Sequence, residues 1–138
     1  MLKARLRLLV AAVWAGSMWT VGYLVAPTLF ATLERTLAGQ VAGSMFGVEA
    51  WLSIGCAAAM LLLERRRTMV LVVLAMLACT LASHFGIQPL MAEAHGTPRF
   101  GMLHGISSVI YLVESLLAGV LLMVGDAALT HPAPLHGT

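Results

Sequence analysis

The stretch Met69–Met91, MVLVVLAMLACTLASHFGIQPLM, contains no Asp, Glu, Lys or Arg and follows closely on the basic run Arg65–Arg66–Arg67. A helix rising about 1.5 Å per residue needs roughly 20 such residues to cross a hydrocarbon core about 30 Å thick. Three more apolar stretches of this kind accompany it: Leu6–Leu33, Val41–Leu63 and Phe100–Val124. The chain of 138 residues is 60% hydrophobic and only 10% charged, with a mean hydropathy of +0.93. A soluble domain of this size has too little interior to hide so much apolar surface. The expected fold is all-α: an integral membrane antiparallel four-helix bundle, up-down-up-down, forming one four-span domain over residues 1–138.

The placement of charge sets the threading. Lys3, Arg5 and Arg7 precede the first span and Arg65–Arg67 fill the second loop, whereas only Arg35 and Arg99 belong to the other loops. Four spans put the N-terminus, second loop and C-terminus on one side. The positive-inside bias makes that side the cytoplasm, and the expected location is the cell (bacterial inner) membrane. No basic domain surrounds the Arg run, so a nucleic-acid partner is not expected. The expected partners are the lipid bilayer and either a second copy or another membrane protein. Leu8–Ala12 after the basic residues resembles a secretory signal, but the apolar run continues to Leu33 without a polar mature start. Cys56 and Cys79 both lie mid-span and read as reduced, buried thiols.

Pro27 falls about two-thirds of the way along the first span and is expected to bend it. Trp14 and Trp19 lie inside this span, away from the interfacial belts, which points to helix packing or a wet cavity. Glu34–Gln40 reads as the first connection and Ala92–Arg99 as the third. After Val124, Gly125, Asp126 and the tail with Pro132 and Pro134 read as too polar to continue a helix. Gly39, Gly43 and Gly47 recur every four residues, and Gly101 and Gly105 repeat the device on the last span. Such strips let another helix approach closely, in an oligomer or, as the favoured reading, inside one bundle.

Ionisable groups within spans are costly and by default mark a functional interior. Here they are Glu49, His84, His104 and Glu114. At about 100° per residue, His104, Ser107, Ser108, Tyr111, Glu114 and Ser115 share an arc of about 120° on the last span. Glu49, Ser53 and Cys56 line up on the second span, Thr80, His84 and Gln88 on the third, and Gly16, Thr20 and Tyr23 on the first. Lipid cannot satisfy these groups, so the four lines are expected to face inward. The threading puts Glu49, His84, Gln88 and His104 in the outer half, with Glu114 nearer the middle. The candidate binding set is therefore Glu49, His84, Gln88, His104, Ser108, Tyr111 and Glu114. It suits carrying a proton, holding a metal or binding a small cation; the plainer reading is a neutralising pair of Glu49 with His84 or His104.

No CxxC, MxxM or HxxxH pair occurs, so neither a metal nor a cofactor is expected. The alternative is a haem or copper centre on His84 and His104, supported by nine methionines. His95, His131 and His136 fall outside the spans and read as solvated. Ser107, Ser108 and His104 lack an acidic partner at a third fixed spacing, and no phosphate-binding loop is present; no catalytic residues and no enzyme are expected.

The segments Trp14–Ala15–Gly16–Ser17–Met18–Trp19, Ala26–Pro27–Thr28–Leu29–Phe30 and Ala42–Gly43–Ser44–Met45–Phe46 resemble the first half of the transmembrane protein 205-like family, whose bacterial members are described as domain of unknown function 4149. Gln88–Pro89 and the run Arg99–Ser108 resemble its second half, where an aromatic residue precedes a His-Gly-x-Ser-Ser start to the last helix. The resemblance runs from about Val13 to Leu122. It implies a four-span protein of the cell membrane without established catalysis, and singles out His104, Gly105 and Ser108 together with Pro27, Phe46 and Pro89. His84 is not part of that pattern. A weaker similarity links the chain to copper-resistance D and HemJ-type membrane proteins.

Overall fold

A computed structural model of the chain describes residues 2–130, with side chains described through Gly125. Four helices, α1 (Leu2–Thr32), α2 (Arg35–Leu63), α3 (Arg67–Glu93) and α4 (Pro98–Thr130), account for nearly all of them, and no strand occurs among the described residues. Each helix is long and apolar enough to cross a membrane, α4 over Pro98–Gly125. The tail with His131, Pro132, Pro134 and His136 lies outside the described residues.

Two boundaries differ most from the sequence reading. The expected connection Glu34–Gln40 shrinks to Leu33 and Glu34, because the Glu34 side chain caps α2 by accepting the Thr36 N–H at 3.3 Å. Nothing in Arg35–Gln40 then breaks a helix. At the other end α4 continues past Val124 to Thr130. One Gly costs a helix only about 1 kcal/mol relative to Ala, and the Ala127–Ala128–Leu129 that follows is helix-favouring. The third turn behaves as composition demands. Gly96 takes φ +81°, and Pro98 opens α4 where a missing N–H costs nothing.

Helices α1 and α3 each contain a π-type turn, Thr20–Val25 and Ala82–Ile87. In both, the amide after the turn bonds five residues back, Ala26 N–H to the Val21 carbonyl and Gln88 N–H to the Ser83 carbonyl. In both, a proline follows two residues after the turn, Pro27 and Pro89. A proline has no amide to donate, and its ring collides with the carbonyl four residues earlier in a regular α-helix. The wider turn takes that carbonyl out of the way. Just ahead of Pro27, where a bend is expected, the structure thus has a π turn.

Cross-helix contacts fix the neighbours. Arg7 meets Glu64 and Trp14 meets Ser53, so residue numbers rise along α1 as they fall along α2. Leu8 reaches Gly125 and Trp19 reaches Gly119, giving the same opposed run between α1 and α4. Helix α3 lies against α2 and α4. Trp14, Met18, Ala57, Met60, Val73, Met76, Ala118 and Leu121 form a dry core where the four meet. Val48, Leu62, Leu116 and Met123 point outward. Such a surface suits acyl chains rather than water.

The glycine strips do not serve packing within the chain. A Cβ added at Gly39, Gly43, Gly101 or Gly105 would meet nothing within 4 Å, and one at Gly47 would only touch the His84 ring at 3.7 Å. The reason is rotational. Ala38 and Ala42 are the buried small residues of early α2, and the next residue along is turned about 100° away. The close approach occurs instead at Gly22, where any Cβ would overlap the Tyr111 ring. The expected polar line on α1 also fails, since Gly16 and Thr20 are exposed. Ala11, Trp14, Ala15 and Met18 form its inward face, and the π turn then shifts the register before Tyr23.

Candidate functional site

Between the two π turns lies a cavity of about 550 Å³. Its wall includes Glu49 from α2, His84 and Gln88 from α3, and His104, Ser108, Tyr111 and Glu114 from α4. Residues distant in the chain, each on the polar side of its own helix, are thereby brought around one space. Helix α1 contributes Gly22, Tyr23, Pro27 and Phe30.

The two carboxyl groups occupy its most buried part. Glu49 is 8% exposed and Glu114 is 4% exposed. Ser53, one turn after Glu49, donates its hydroxyl to Glu49 Oε1 at 2.6 Å, and the Trp14 indole N–H donates to Ser53 Oγ at 2.8 Å. A chain of two hydrogen bonds therefore ties α1 to the acid of α2. Across the cavity Thr80 Oγ1 donates to Glu114 Oε1 at 2.6 Å, joining α3 to α4. Each carboxyl thus has one oxygen held by a neighbouring hydroxyl. Among the described residues no donor reaches the second oxygen, Oε2, of either.

The neutralising pair of Glu49 with a histidine does not form, because Ser53 on the same helix supplies the donor. His84 instead packs edge-on against Phe85 and Trp51, with ring centroids 4.8 and 6.5 Å away. Its Nδ1 is buried and has no hydrogen-bond partner among the described residues. His104 is exposed, lies parallel to Phe100 at 6.2 Å, and accepts the Ser108 hydroxyl on its backbone carbonyl at 2.9 Å. Gln88 is half-buried between these groups. Among the described residues no three His, Cys, Asp or Glu side chains converge as a metal site.

Tyr111 forms the aromatic side. Its hydroxyl donates to the Met18 carbonyl, and its ring meets Phe46 and Tyr23 edge-on at 5.5 and 5.9 Å. Tyr23 donates to Ser115 Oγ at 2.9 Å, and Ser115 donates to the Tyr111 carbonyl at 2.8 Å. The Trp19 indole reaches the Ser115 carbonyl at 3.3 Å. Aromatic residues of α1 and α4 are pinned to one another beside the cavity.

Below the carboxyls the interior closes. Trp14, Met18, Val73 and Met76 are wholly buried and pack into the core there. At that end Glu64, itself buried, takes Arg7 Nη1 at 3.0 Å, Arg66 Nε at 3.4 Å, and the backbone N–H groups of Arg65 and Arg66 at 2.9 Å each. Burial pushes the Glu64 carboxyl up, but the amide and guanidinium of Arg66, the amide of Arg65 and the Arg7 charge outweigh it. The net effect holds Glu64 below the usual carboxylate range. Sequence reading treated the Arg run only as a topology signal and passed over Glu64. The available clue was an acid placed at the seam between an apolar span and three arginines.

The sequence profile of Domain of unknown function (DUF4149) matches residues 9–99, well over half of the chain. The matched stretch covers α1 from Leu9 and all of α2 and α3, and it ends before His104, Gly105 and Ser108. No curated protein and no solved structure matches the chain. With four helices able to span a bilayer and this profile across most of its length, the chain belongs to the DUF4149 family.

Proposed function

We propose that this is a multi-pass membrane protein, threaded up-down-up-down as a four-helix bundle, that binds a small solute in the cavity lined by all four helices without transforming it. The Arg7–Glu64 ion pair draws Lys3, Arg5 and Arg7 to the end that carries Arg65–Arg67. That concentration of positive charge supports a cytoplasmic reading of this end and of both termini, in a bacterial inner membrane. The cavity lies toward the opposite end, among Pro27, Phe30, Gln88 and His104, so solute enters from the non-cytoplasmic side. The observation that carries the reading is a 550 Å³ space with two half-partnered carboxyls at its depth, sealed beneath by Trp14, Met18, Val73 and Met76. The plug favours binding over free passage. Within its family the motif segments around Trp14, Pro27 and His104 support a place among the transmembrane protein 205-like proteins.

The test is a thermal-shift screen of small solutes on the purified protein, repeated on Ser108→Trp. Ser108 is exposed on the cavity wall, so the indole fills the space without entering the core. Solutes that stabilise the wild type lose their effect in S108W; shifts of equal size in both proteins refute the cavity as the seat of binding.

A second reading, a haem or copper centre on His84 and His104, is favoured by the buried, unpartnered His84 Nδ1 in the same cavity as His104. It requires a Soret band or stoichiometric copper in purified protein, lost in His84→Ala and His104→Ala.

A further inference from the structure

We propose that the solute is an amphiphilic organic cation, its ammonium group held between Glu49 and Glu114 and its apolar part lying on Phe30, Phe46 and Tyr111. This deepens the solute-binding reading and rests on it.

Charge comes first. The cavity wall contains two carboxyl side chains and no Lys or Arg. Both acids are more than nine-tenths buried, yet each has an oxygen that no described residue donates to, while the other is fixed by Ser53 or Thr80. A carboxyl so placed has lost most of its water and has one free acceptor position aimed into the space. An alkylammonium supplies both things the site lacks, positive charge and N–H donors. Its three donors serve two carboxyls at once.

The rest of the wall excludes simpler occupants. A bare metal ion seeks a shell of oxygen or nitrogen ligands, and no group of three such acidic, His or Cys side chains converges among the described residues. A proton needs no such volume. The space of about 550 Å³ falls in the range that holds organic ligands, roughly 300–1,000 Å³. Beside the acids the wall has an apolar and aromatic part, Pro27, Met91 and Leu112 joining the three rings already named, and a polar part that includes His84, Gln88, His104 and Ser108. Aromatic faces attract a cation and bury hydrocarbon equally well. An anion meets two acids and no Lys or Arg. A neutral alcohol fits the apolar wall, but its single O–H donates to one carboxyl at most.

The experiment compares three probes of one shape, 4-phenylbutylammonium, 4-phenylbutanol and 4-phenylbutyrate, by calorimetric titration of the full chain in lipid nanodiscs. S108W serves as the control for partitioning into lipid. The ammonium is expected to bind at least tenfold tighter than the alcohol, and the butyrate not to bind. Glu49→Gln with Glu114→Gln is expected to reduce that preference tenfold or more while leaving alcohol binding unchanged. Alcohol or butyrate binding as tightly as the ammonium overturns the cation assignment but leaves a solute-binding cavity. Probe heats identical in wild type and S108W overturn the cavity reading itself, and this proposal with it. Should the double variant fail to fold, the ranking of the three probes on the wild type still decides.

Discussion

Trp14 on α1 donates its indole N–H to Ser53 Oγ on α2 at 2.8 Å, and both side chains are completely buried. Ser53 in turn donates to Glu49, so one hydroxyl mediates between the dry core and the floor of the cavity. Removing the two partners has consequences different in kind. Trp14→Phe leaves Ser53 free to donate to Glu49, but it removes the indole N–H and opens a cavity where the second ring stood, for about 1–3 kcal/mol. Ser53→Ala strands both the indole N–H and Glu49 Oε1, for about 1–3 kcal/mol. Thermal unfolding in detergent measures both variants and their combination, and losses that add in full contradict the linkage.

Thr80 and Glu114 make the second such connection, at 2.6 Å between α3 and α4. Thr80→Val is nearly isosteric and removes the donor alone. It is expected to cost about 1 kcal/mol in the same unfolding assay. An unchanged midpoint would mean that Glu114 finds its donor elsewhere.

Gly22 and the strip Gly39–Gly43 separate what glycine permits from what the fold uses. Gly22→Ala drives a methyl group into the Tyr111 ring, which is held by its bond to the Met18 carbonyl and cannot swing away freely. The expected loss is about 1–3 kcal/mol. Gly39→Ala and Gly43→Ala face open space and are expected to stay within about 0.5 kcal/mol of wild type, or to gain from better helix propensity. Parallel melting curves of the three variants decide the matter.

The same contrast explains what was legible in the sequence. The four spans were legible because a bilayer sets a minimum apolar length, and each stretch meets it. The inward lines on α2, α3 and α4 were legible because the ionisable Glu49, His84 and Glu114 are costly to expose to lipid. A glycine carries no such penalty. Gly39 and Gly43 show where a helix is able to approach, and nothing in a single chain says whether one does. On α1 the periodicity carries through Trp14 and Met18 and then breaks, because the π turn at Thr20–Val25 changes the register that projection at 100° per residue assumes. The Thr80–Glu114 partnership required knowing the relative height of two helices, which spacing within one helix does not contain.

Glu64 gives the protein an acid limb. Its carboxyl is held below the usual range, so the native state takes up its proton less readily than the unfolded chain. The stabilisation is fully present above the ordinary glutamate range, and it is lost as pH falls through the lower native value. Melting temperature should therefore drop on acidification from about pH 5 downward. Glu64→Gln is less stable at neutral pH and shows a shallower drop, and the difference between the two curves isolates Glu64 from the other acids. Parallel curves would show that the Arg7 and Arg66 contacts contribute nothing measurable.

Pro27 offers the last and most discriminating test. Its ring is incompatible with a regular helix at the Tyr23 carbonyl, and the π turn resolves the conflict two residues earlier. Pro27→Ala restores the amide, and an ordinary α turn becomes the better-bonded choice. Losing the extra residue from that turn rotates the upstream and downstream halves of α1 relative to one another. Tyr23 then leaves Ser115, and Gly22 no longer lies under Tyr111. The variant is expected to melt at or above the wild-type temperature yet bind cavity solutes at least several-fold more weakly. That combination separates a turn kept for the cavity from one kept for stability. A P27A protein of lower melting temperature with undiminished solute binding would show the π turn to be structural alone.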